Sequence, residues 1–485
     1  MPESTNRQPS QHLSAFVLGI FTSAKILATI VRISFPQFLL DLYNHPKGKK
    51  AALIGFYFFH KPCLIIRDPE LIKRIVVKDF PQFMNRRMAS DPKSDPIGSN
   101  SLLAAKGEIW KSVRSSLSPV FTTRKLKNFF TLISDSCKGL EAKLTKDIPA
   151  RGSAEINTRE LAGFYTLETI ATSAFGVTTE ALTNPNSDFV RKIREIVNPS
   201  SFMRVLEFGA CCFFPELAKL FKLRFLSKET EDFFRTTISD VMAERVKSGI
   251  VRNDLIDIFN AMKKSQKEVF HNDLLLGQAA TFLVAGFDTS SSALSFALYE
   301  LAGHQDVQEK LRRELEDFRD SGKEMNIENF NNLQYLHMVF QETLRLYPSS
   351  PALTRVYEPT NGSNSYSLPP PYNFSIPQGT VIYIPAIAIQ RDPNFFPEPL
   401  SFRPERFAAN AEPPIDPWHF LSFGQGPRNC IGLRFAALQV KMGLLTILLK
   451  YRVSFCKRTP KQIRFKRMTF LLYPEDPIFL TFQEI

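Results

Sequence analysis

The longest nearly uncharged run in the chain is Leu274 to Gly303, LLLGQAATFLVAGFDTSSSALSFALYELAG, whose only charges are Asp288 near the middle and Glu300 near the end. Length and apolarity suit either a membrane span or a helix buried on all sides in a large core. Gly286, Asp288 and Thr289 at its centre favour the buried helix. A mid-helix glycine costs about 1 kcal/mol relative to alanine, and a lone buried carboxylate costs more; a functional site explains both. Other runs fall around it. From Leu102 to about Ile256 the pattern is mostly helical. Within it, Thr230 to Ser248 carries an apolar stripe at Phe234, Ile238, Val241 and Val246 and stops at Gly249. Asp306 to Asp320 reads as an amphipathic surface helix, Asn331 to Leu346 as a helix ended by Pro348, and Ile431 to Lys450 as an apolar helix. Residues 51 to 77 read as strands, β-branched and aromatic and broken at Pro62 and Pro69. Pro348 to Pro404 is Pro-rich with strand-like runs such as Thr380 to Ile389. The pattern is a helix-rich middle joined to a smaller β-containing part, without an internal repeat.

The front of the chain leaves three readings open. Leu13 to Ala24 carries no charge but is short of the roughly 20 residues a span needs. Lys25 and Arg32 interrupt an otherwise apolar stretch that continues to Leu40. It suits a poor signal anchor, an amphipathic segment lying in the membrane interface, or an import peptide free of acidic residues after Ser4.

Composition narrows the class. Hydrophobic residues at 44% and charged residues at 22% exclude a disordered or coiled-coil chain. The six cysteines are scattered, with no CxxC, which argues against a disulfide framework and structural zinc and for a reducing compartment. The net charge of +13 asks for an anionic partner: nucleic acid, lipid or an acidic protein. No recognition motif accompanies the charge, so nucleic acid is not expected. Lys450 to Arg467 holds eight basic residues and no acid; since it follows the helix that Cys430 opens, part of it is expected near that cysteine, facing an acidic protein or lipid. A polar loop, Asn361 to Ser375, contains glycosylation sequons at Asn361 and Asn373.

The sharpest chemistry lies in Phe423 to Gly432, FGQGPRNCIG. Two glycines and a proline make a tight turn. Cys430 then stands at the start of a helix, where the dipole and unpaired N–H groups favour a thiolate. Such a thiolate is a metal ligand or a nucleophile. The competing readings are a buried structural cysteine, as expected for the other five, and a phosphate loop, whose spacing fails at Asn429.

This decapeptide resembles the haem-binding signature F-G-x-G-P-R-x-C-x-G of the cytochrome P450 family at every fixed position. Other segments resemble the family's motifs in the right order. Trp110-Lys-Ser-Val-Arg114 is similar to W-x-x-x-R, and Ala285-Gly-Phe-Asp-Thr289 to A-G-x-D/E-T. Glu342-Thr-Leu-Arg345, followed by LYPSSPALTR and FRPERF, resembles the E-x-x-R helix and its partner Arg406. Glu309 and Arg312 fit the same spacing but read as a surface i,i+3 pair. The likeness runs from about Tyr43 to the C-terminus and is nearest to the microsomal xenobiotic-metabolising members of insects and vertebrates.

The resemblance implies a mainly α, P450-like helical fold with a small β-rich subdomain. It divides the chain into residues 1–42, a membrane-associated or targeting segment, and 43–485, the catalytic domain. It implies haem b, with Cys430 as iron ligand. Arg86, Trp110, Arg114, Arg355, Phe423 and Arg428 would bind the cofactor, Arg87 competing with Arg86. Glu342, Arg345 and Arg406 would form a buried structural network. Thr289 and Asp288 would deliver protons to dioxygen, with Gly286 letting the helix open. The implied activity is insertion of one atom of dioxygen into an apolar small molecule (xenobiotic, fatty acid, terpenoid or steroid), with electrons from an NADPH-dependent flavoprotein reductase. A haem-thiolate isomerase or lyase needing no electrons and a non-catalytic haem or lipid binder are the alternatives. Pocket segments are expected at Ser94 to Glu108, Ser201 to Phe214, the long helix, Ser349 to Leu353 and Met468 to Ile478, and the phenylalanines at 202, 208, 213, 214 and 221 at substrate access and membrane contact. The cytosolic face of the endoplasmic reticulum membrane is the expected location, the mitochondrial inner membrane the alternative.

Overall fold

The computed structural model describes residues 15–17, 33–49, 51–58, 61–197, 201–265, 268–360 and 362–485. The expectation for Leu13 to Ala24 lies almost wholly outside the described residues, as does the sequon at Asn361. No helix among the described residues is long and apolar enough to cross a membrane.

The run around Asp288 forms one helix, Asn272–Gly303, buried over nearly its whole length. His271 caps it, its Nδ1 accepting the Leu274 N–H at 3.3 Å. Three helices enclose it: Thr158–Ile170, Gln334–Leu346 and Leu433–Leu448. Small and hydroxyl side chains let them approach closely. A Cβ on Gly443 would press on both the Tyr165 ring at 2.9 Å and the Leu294 side chain at 3.0 Å. Several buried polar groups are answered across the helices. Thr158 and Ser295 share a 2.7 Å hydroxyl contact, Thr166 Oγ1 donates to the Phe287 carbonyl at 2.9 Å, and Tyr165 donates to the Gln439 carbonyl at 2.9 Å. Of this helix's own hydroxyls, Ser295 ties it to Thr158, whereas Thr281, Thr289, Ser291 and Ser292 donate to carbonyls about one turn back in the same helix.

The β-containing part is a five-stranded sheet in the order Ala15–Val17, Leu53–Phe58, Lys61–Ile66, Val381–Ile384, Leu353–Val356, with its own apolar core. The helix Phe35–Tyr43, capped by Ser34, packs into that core through Phe38, Leu39, Leu42 and Tyr43. It straddles the 42/43 division. A second antiparallel sheet joins Ser153–Asn157, Phe479–Glu484 and Tyr451–Phe455. A C-terminal hairpin precedes its middle strand, closed by a Phe465 to Pro474 bridge.

Several expectations shift. Residues 69–78 are helical rather than strand, because Asp68 caps Leu71 N–H at 2.8 Å and Pro69 opens the turn. After strand Val381–Ile384, Pro385 precedes a helical turn, Ala386–Ile389. The Lys228–Ser248 helix buries Phe234, Ile238 and Met242, a strict i+4 series, and leaves Val246 exposed. The basic run from Lys450 starts beyond the C-terminal end of the 16-residue helix Leu433–Leu448, about 24 Å from the cysteine end at 1.5 Å per residue. It is therefore not on the thiolate side, and its Arg458, Arg464 and Arg467 meet Glu155, Glu475 and Asp476.

Candidate active site

The loop Phe423 to Gly432 folds back on itself. Cys430 N–H donates to the Phe423 carbonyl at 2.8 Å and Asn429 N–H to the Gly426 carbonyl at 3.0 Å. Gly424 and Gly426 adopt φ of +69° and +74°, the left-handed region that glycine enters freely. A Cβ on Gly426 would also overlap the Val76 carbonyl oxygen. This turn sets Cys430 just ahead of the helix Leu433–Leu448. Burial pushes the Cys430 thiol up, while the Gly432 N–H and the charges of Arg114 and Arg86 pull it down. Cys430 is nonetheless accessible at its surface. Desolvated and accessible together, it faces an internal chamber.

Four guanidiniums gather on the same side. Arg428 is pushed down to about 8 by burial and then by Arg86, Arg355 and Arg114. Arg355 falls to about 9 by burial and by Arg86, and Arg86 to about 10 by burial and by Arg114. None is paired with a carboxylate among the described residues. Arg355 Nε and Arg428 Nε and Nη1 are buried without partners. Arg114 holds the cysteine loop, donating to Asn429 O at 3.0 Å and Oδ1 at 2.9 Å. Arg428 donates to the Ala105 carbonyl at 2.7 Å and lies 4.3 Å from the Trp110 ring centre. Repelling cations with orphaned N–H groups fit a dianion, and a thiol beside them fits a soft metal ligand. The donor set suits haem, with two carboxylates and an iron. Arg87 goes elsewhere, to the Phe213 carbonyl at 3.1 Å and Glu216 at 2.9 Å.

The long helix forms the facing wall. Ala285 is exposed and Thr289 partly so, although their helix is otherwise buried. Phe282 stacks on Phe121 at 5.8 Å, and Phe121 lies beside Gly432, 3.9 Å from where its Cβ would be. Thr289 Oγ1 donates to the Ala285 carbonyl at 2.7 Å. The helix runs unbroken through Gly286, whose Cβ would press on the Ile170 side chain at 2.8 Å. Gly286 thus serves a close helix crossing, and nothing shows an opening there. Asp288 is 1% exposed and does not meet Thr289's hydroxyl. It is ion-paired with Arg159 and accepts the Tyr473 hydroxyl. Sequence reasoning missed both partners. Tyr473 lay inside an expected pocket segment, whereas Arg159 carried no signal.

Glu342 and Arg345 are fully buried and joined by 2.7 and 2.8 Å bonds. Arg406 Nε donates to Glu342 at 3.3 Å, and the Arg403 N–H donates to the same carboxylate at 2.9 Å. Arg345 also donates to the carbonyls of Gln390 at 2.7 Å and Pro399 at 2.8 Å. Gln390, absent from the sequence reading, carries the network onward. Its amide donates to the Leu344 and Arg345 carbonyls, and its Oε1 accepts Leu421 N–H at 2.6 Å and Ser422 Oγ at 3.0 Å. The cysteine loop begins at the next residue. Glu309 and Arg312 are a looser 3.8 Å pair, and not the surface pair expected, since Glu309 is half-buried and Arg312 buried.

Glu342→Gln should lower unfolding stability by about 3–5 kcal/mol, since it leaves Arg345 buried and uncompensated; thermal or denaturant unfolding reads this. Gly426→Ala should cost about 2–5 kcal/mol from left-handed strain and overlap with Val76. It should also displace the cysteine loop, so haem incorporation falls together with the melting temperature.

The family model "Cytochrome P450" matches residues 26–482. Probable cytochrome P450 6g2 of Drosophila melanogaster is 39% identical over 450 residues, 90% of this chain and 86% of that protein. Probable cytochrome P450 6t1 of the same fly is 36% identical over 91% of this chain and 84% of its own length. Cytochrome P450 9e2 of Blattella germanica is 33% identical over 93% and 89% respectively. With the family matched across nearly the whole length, the chain belongs to the cytochrome P450 family and is a haem-dependent monooxygenase.

Proposed function

We propose that this monooxygenase inserts one oxygen atom into an apolar small molecule, a xenobiotic, fatty acid, terpenoid or steroid, using electrons from an NADPH-dependent flavoprotein reductase. The observation that carries the reading is that Cys430 and four guanidiniums, none answered by a carboxylate among the described residues, gather on one side, with Ala285 and Thr289 the open positions of the long helix. Haem b, when bound, supplies the oxygen-activating chemistry. Cys430 is its thiolate ligand, held by the Phe423 carbonyl and favoured by the Gly432 N–H. Arg86, Arg114, Arg355 and Arg428 neutralise its carboxylates, with Trp110 supporting Arg428. Glu342, Arg345 and Arg406 fix the scaffold beneath it.

Thr289 holds a proton at Oγ1, donated to the Ala285 carbonyl at rest. Releasing that carbonyl frees the hydroxyl to pass the proton toward dioxygen. Asp288 resupplies it. An isomerase or lyase would need no such acid and alcohol.

Electrons enter where the cysteine loop meets solvent. Lys106, Arg124 and Arg434 are exposed there and outside any ion pair among the described residues. They suit an acidic reductase. A separate face suits a membrane. Phe202, Met203, Leu206, Phe208, Leu217, Leu220 and Phe221 are exposed together on neighbouring helices, Phe202–Phe213 and Pro215–Leu220, with Lys219 and Lys222 exposed beside them. This supports attachment at the cytosolic face of the endoplasmic reticulum, residues 1–42 assisting and the remainder being catalytic.

The reduced, carbon monoxide-bound absorption spectrum tests the reading. The red-shifted thiolate band should be present in the wild type and absent in Cys430→Ala; a wild type without it would refute the proposal. Thr289→Ala should divert NADPH from product to hydrogen peroxide, by about 10²-fold in the ratio if the hydroxyl is a positioned proton donor. Product formation should also require both NADPH and reductase.

A further inference from the structure

A cleft of about 650 Å³ opens between the helix Thr158–Ile170, the helix Asp188–Val197 and the C-terminal hairpin. Its rim carries exposed charges, Arg191, Arg194, Glu195 and Asp476. Its wall includes Arg159, Phe287, Ser291 and Tyr473, and neither Cys430, the four guanidiniums beside it, Ala285 nor Thr289 lines it. Arg159 and Tyr473 are also the side chains that hold the Asp288 carboxylate. Water in this cleft therefore stands one side chain away from the buried acid, on a route that does not pass through the substrate chamber.

The hairpin grips the acid–alcohol pair twice. Tyr473 bonds Asp288, and next to it Leu472 N–H donates to the Ser349 carbonyl at 2.9 Å. Ser349 Oγ in turn donates to the Thr289 carbonyl at 3.5 Å. At the hairpin turn, Phe470 packs against Phe35 at 6.1 Å and Phe213 at 6.2 Å. Burial and the Asp288 charge raise the Tyr473 phenol well above its usual range, so it stays protonated and donates. The Arg159 guanidinium lies 5.2 Å from its ring centre.

We propose that Tyr473 is a positioning residue for proton delivery: with Arg159 it holds Asp288 between the cleft, where protons enter, and Thr289, to which they pass. A proton from bulk solvent, relayed through cleft water that is left neutral, passes to the Asp288 carboxylate. The neutral acid loses its ion pair with Arg159, turns, and protonates the Thr289 hydroxyl as that hydroxyl releases its own proton toward dioxygen. Asp288 returns ionised to Arg159 and Tyr473. One proton enters and one leaves, and Tyr473 is unchanged. This rests on the roles proposed above for Asp288 and Thr289.

Tyr473→Phe keeps the ring over Arg159 and removes the hydroxyl alone. A double-mutant cycle of thermal unfolding with Asp288→Asn reads the contact without turnover: non-additive shifts are expected, and additive ones would overturn the proposal. In Tyr473→Phe carrying the wild-type carbon monoxide band, the peroxide-to-product ratio should rise about tenfold, the worth of one hydrogen bond to a charged group. The solvent deuterium isotope effect should grow, while the substrate-induced spectral shift keeps its midpoint. Non-additivity with unchanged partition and isotope effect would reduce Tyr473 to a structural tie and overturn the role. If Tyr473→Phe does not fold, Arg159→Lys, which keeps the charge but not the fork, is judged by the same partition. A wild type lacking the band would instead refute the monooxygenase site itself.

Discussion

A carboxylate and two guanidiniums sealed from water persist only when every one of their hydrogen-bonding groups is answered. The Glu342, Arg345 and Arg406 trio meets that condition by drafting distant backbone: the carbonyls of Gln390, Pro399 and Ser401 and the Arg403 N–H. The rest of the haem-side scaffold inherits its position from this requirement. Gln390 is the connector, since the same side chain that bonds the helix carrying Arg345 also bonds the residues leading into the cysteine loop. A defect in the trio is thus felt at Cys430 without touching it.

The chamber obeys the opposite logic. There the charges are left unanswered, and four guanidiniums repel one another around a desolvated thiol. A protein with no ligand to place there would gain by substituting them. The folded chain holds this imbalance only because surrounding packing over-determines it. Trp110 lies under Arg428, Asn429 restrains Arg114, and the loop glycines admit the turn. One region is finished by the protein alone, and the other is built to be finished by a cofactor.

Much of this was legible in the sequence because the chemistry is concentrated in short segments. FGQGPRNCIG, the Glu342 to Arg345 helix and the long helix with Asp288 and Thr289 each carry their meaning locally. What stayed hidden depends on direction or distance. Arg86 and Arg87 are neighbours with different destinations, one beside Cys430 and the other at Glu216, which sequence alone does not tell apart. Gln390 reads as an ordinary polar residue until its four partners are seen. Asp288's partners stand 129 and 185 positions away. The basic run after Lys450 misled because sequence adjacency to a helix says nothing about which end it joins. The strand reading of residues 69–78 failed because a cap and a proline outweighed β-branched composition.

The closing sheet has a consequence for how the chain comes into being. Glu155 pairs with Thr481, 326 positions later, by subtraction of the two numbers, and Thr158 N–H waits for the Ile478 carbonyl. At roughly 5–20 residues per second, a ribosome takes about 16–65 s to make that interval. Throughout it, the strand Ser153–Asn157 offers an open edge, and the hairpin that grips Asp288 does not yet exist. Helices can form early, but the last few dozen residues are a keystone rather than a tail. The nascent protein therefore carries a long window in which a chaperone, or another unfinished copy, finds the edge before its own C-terminus does.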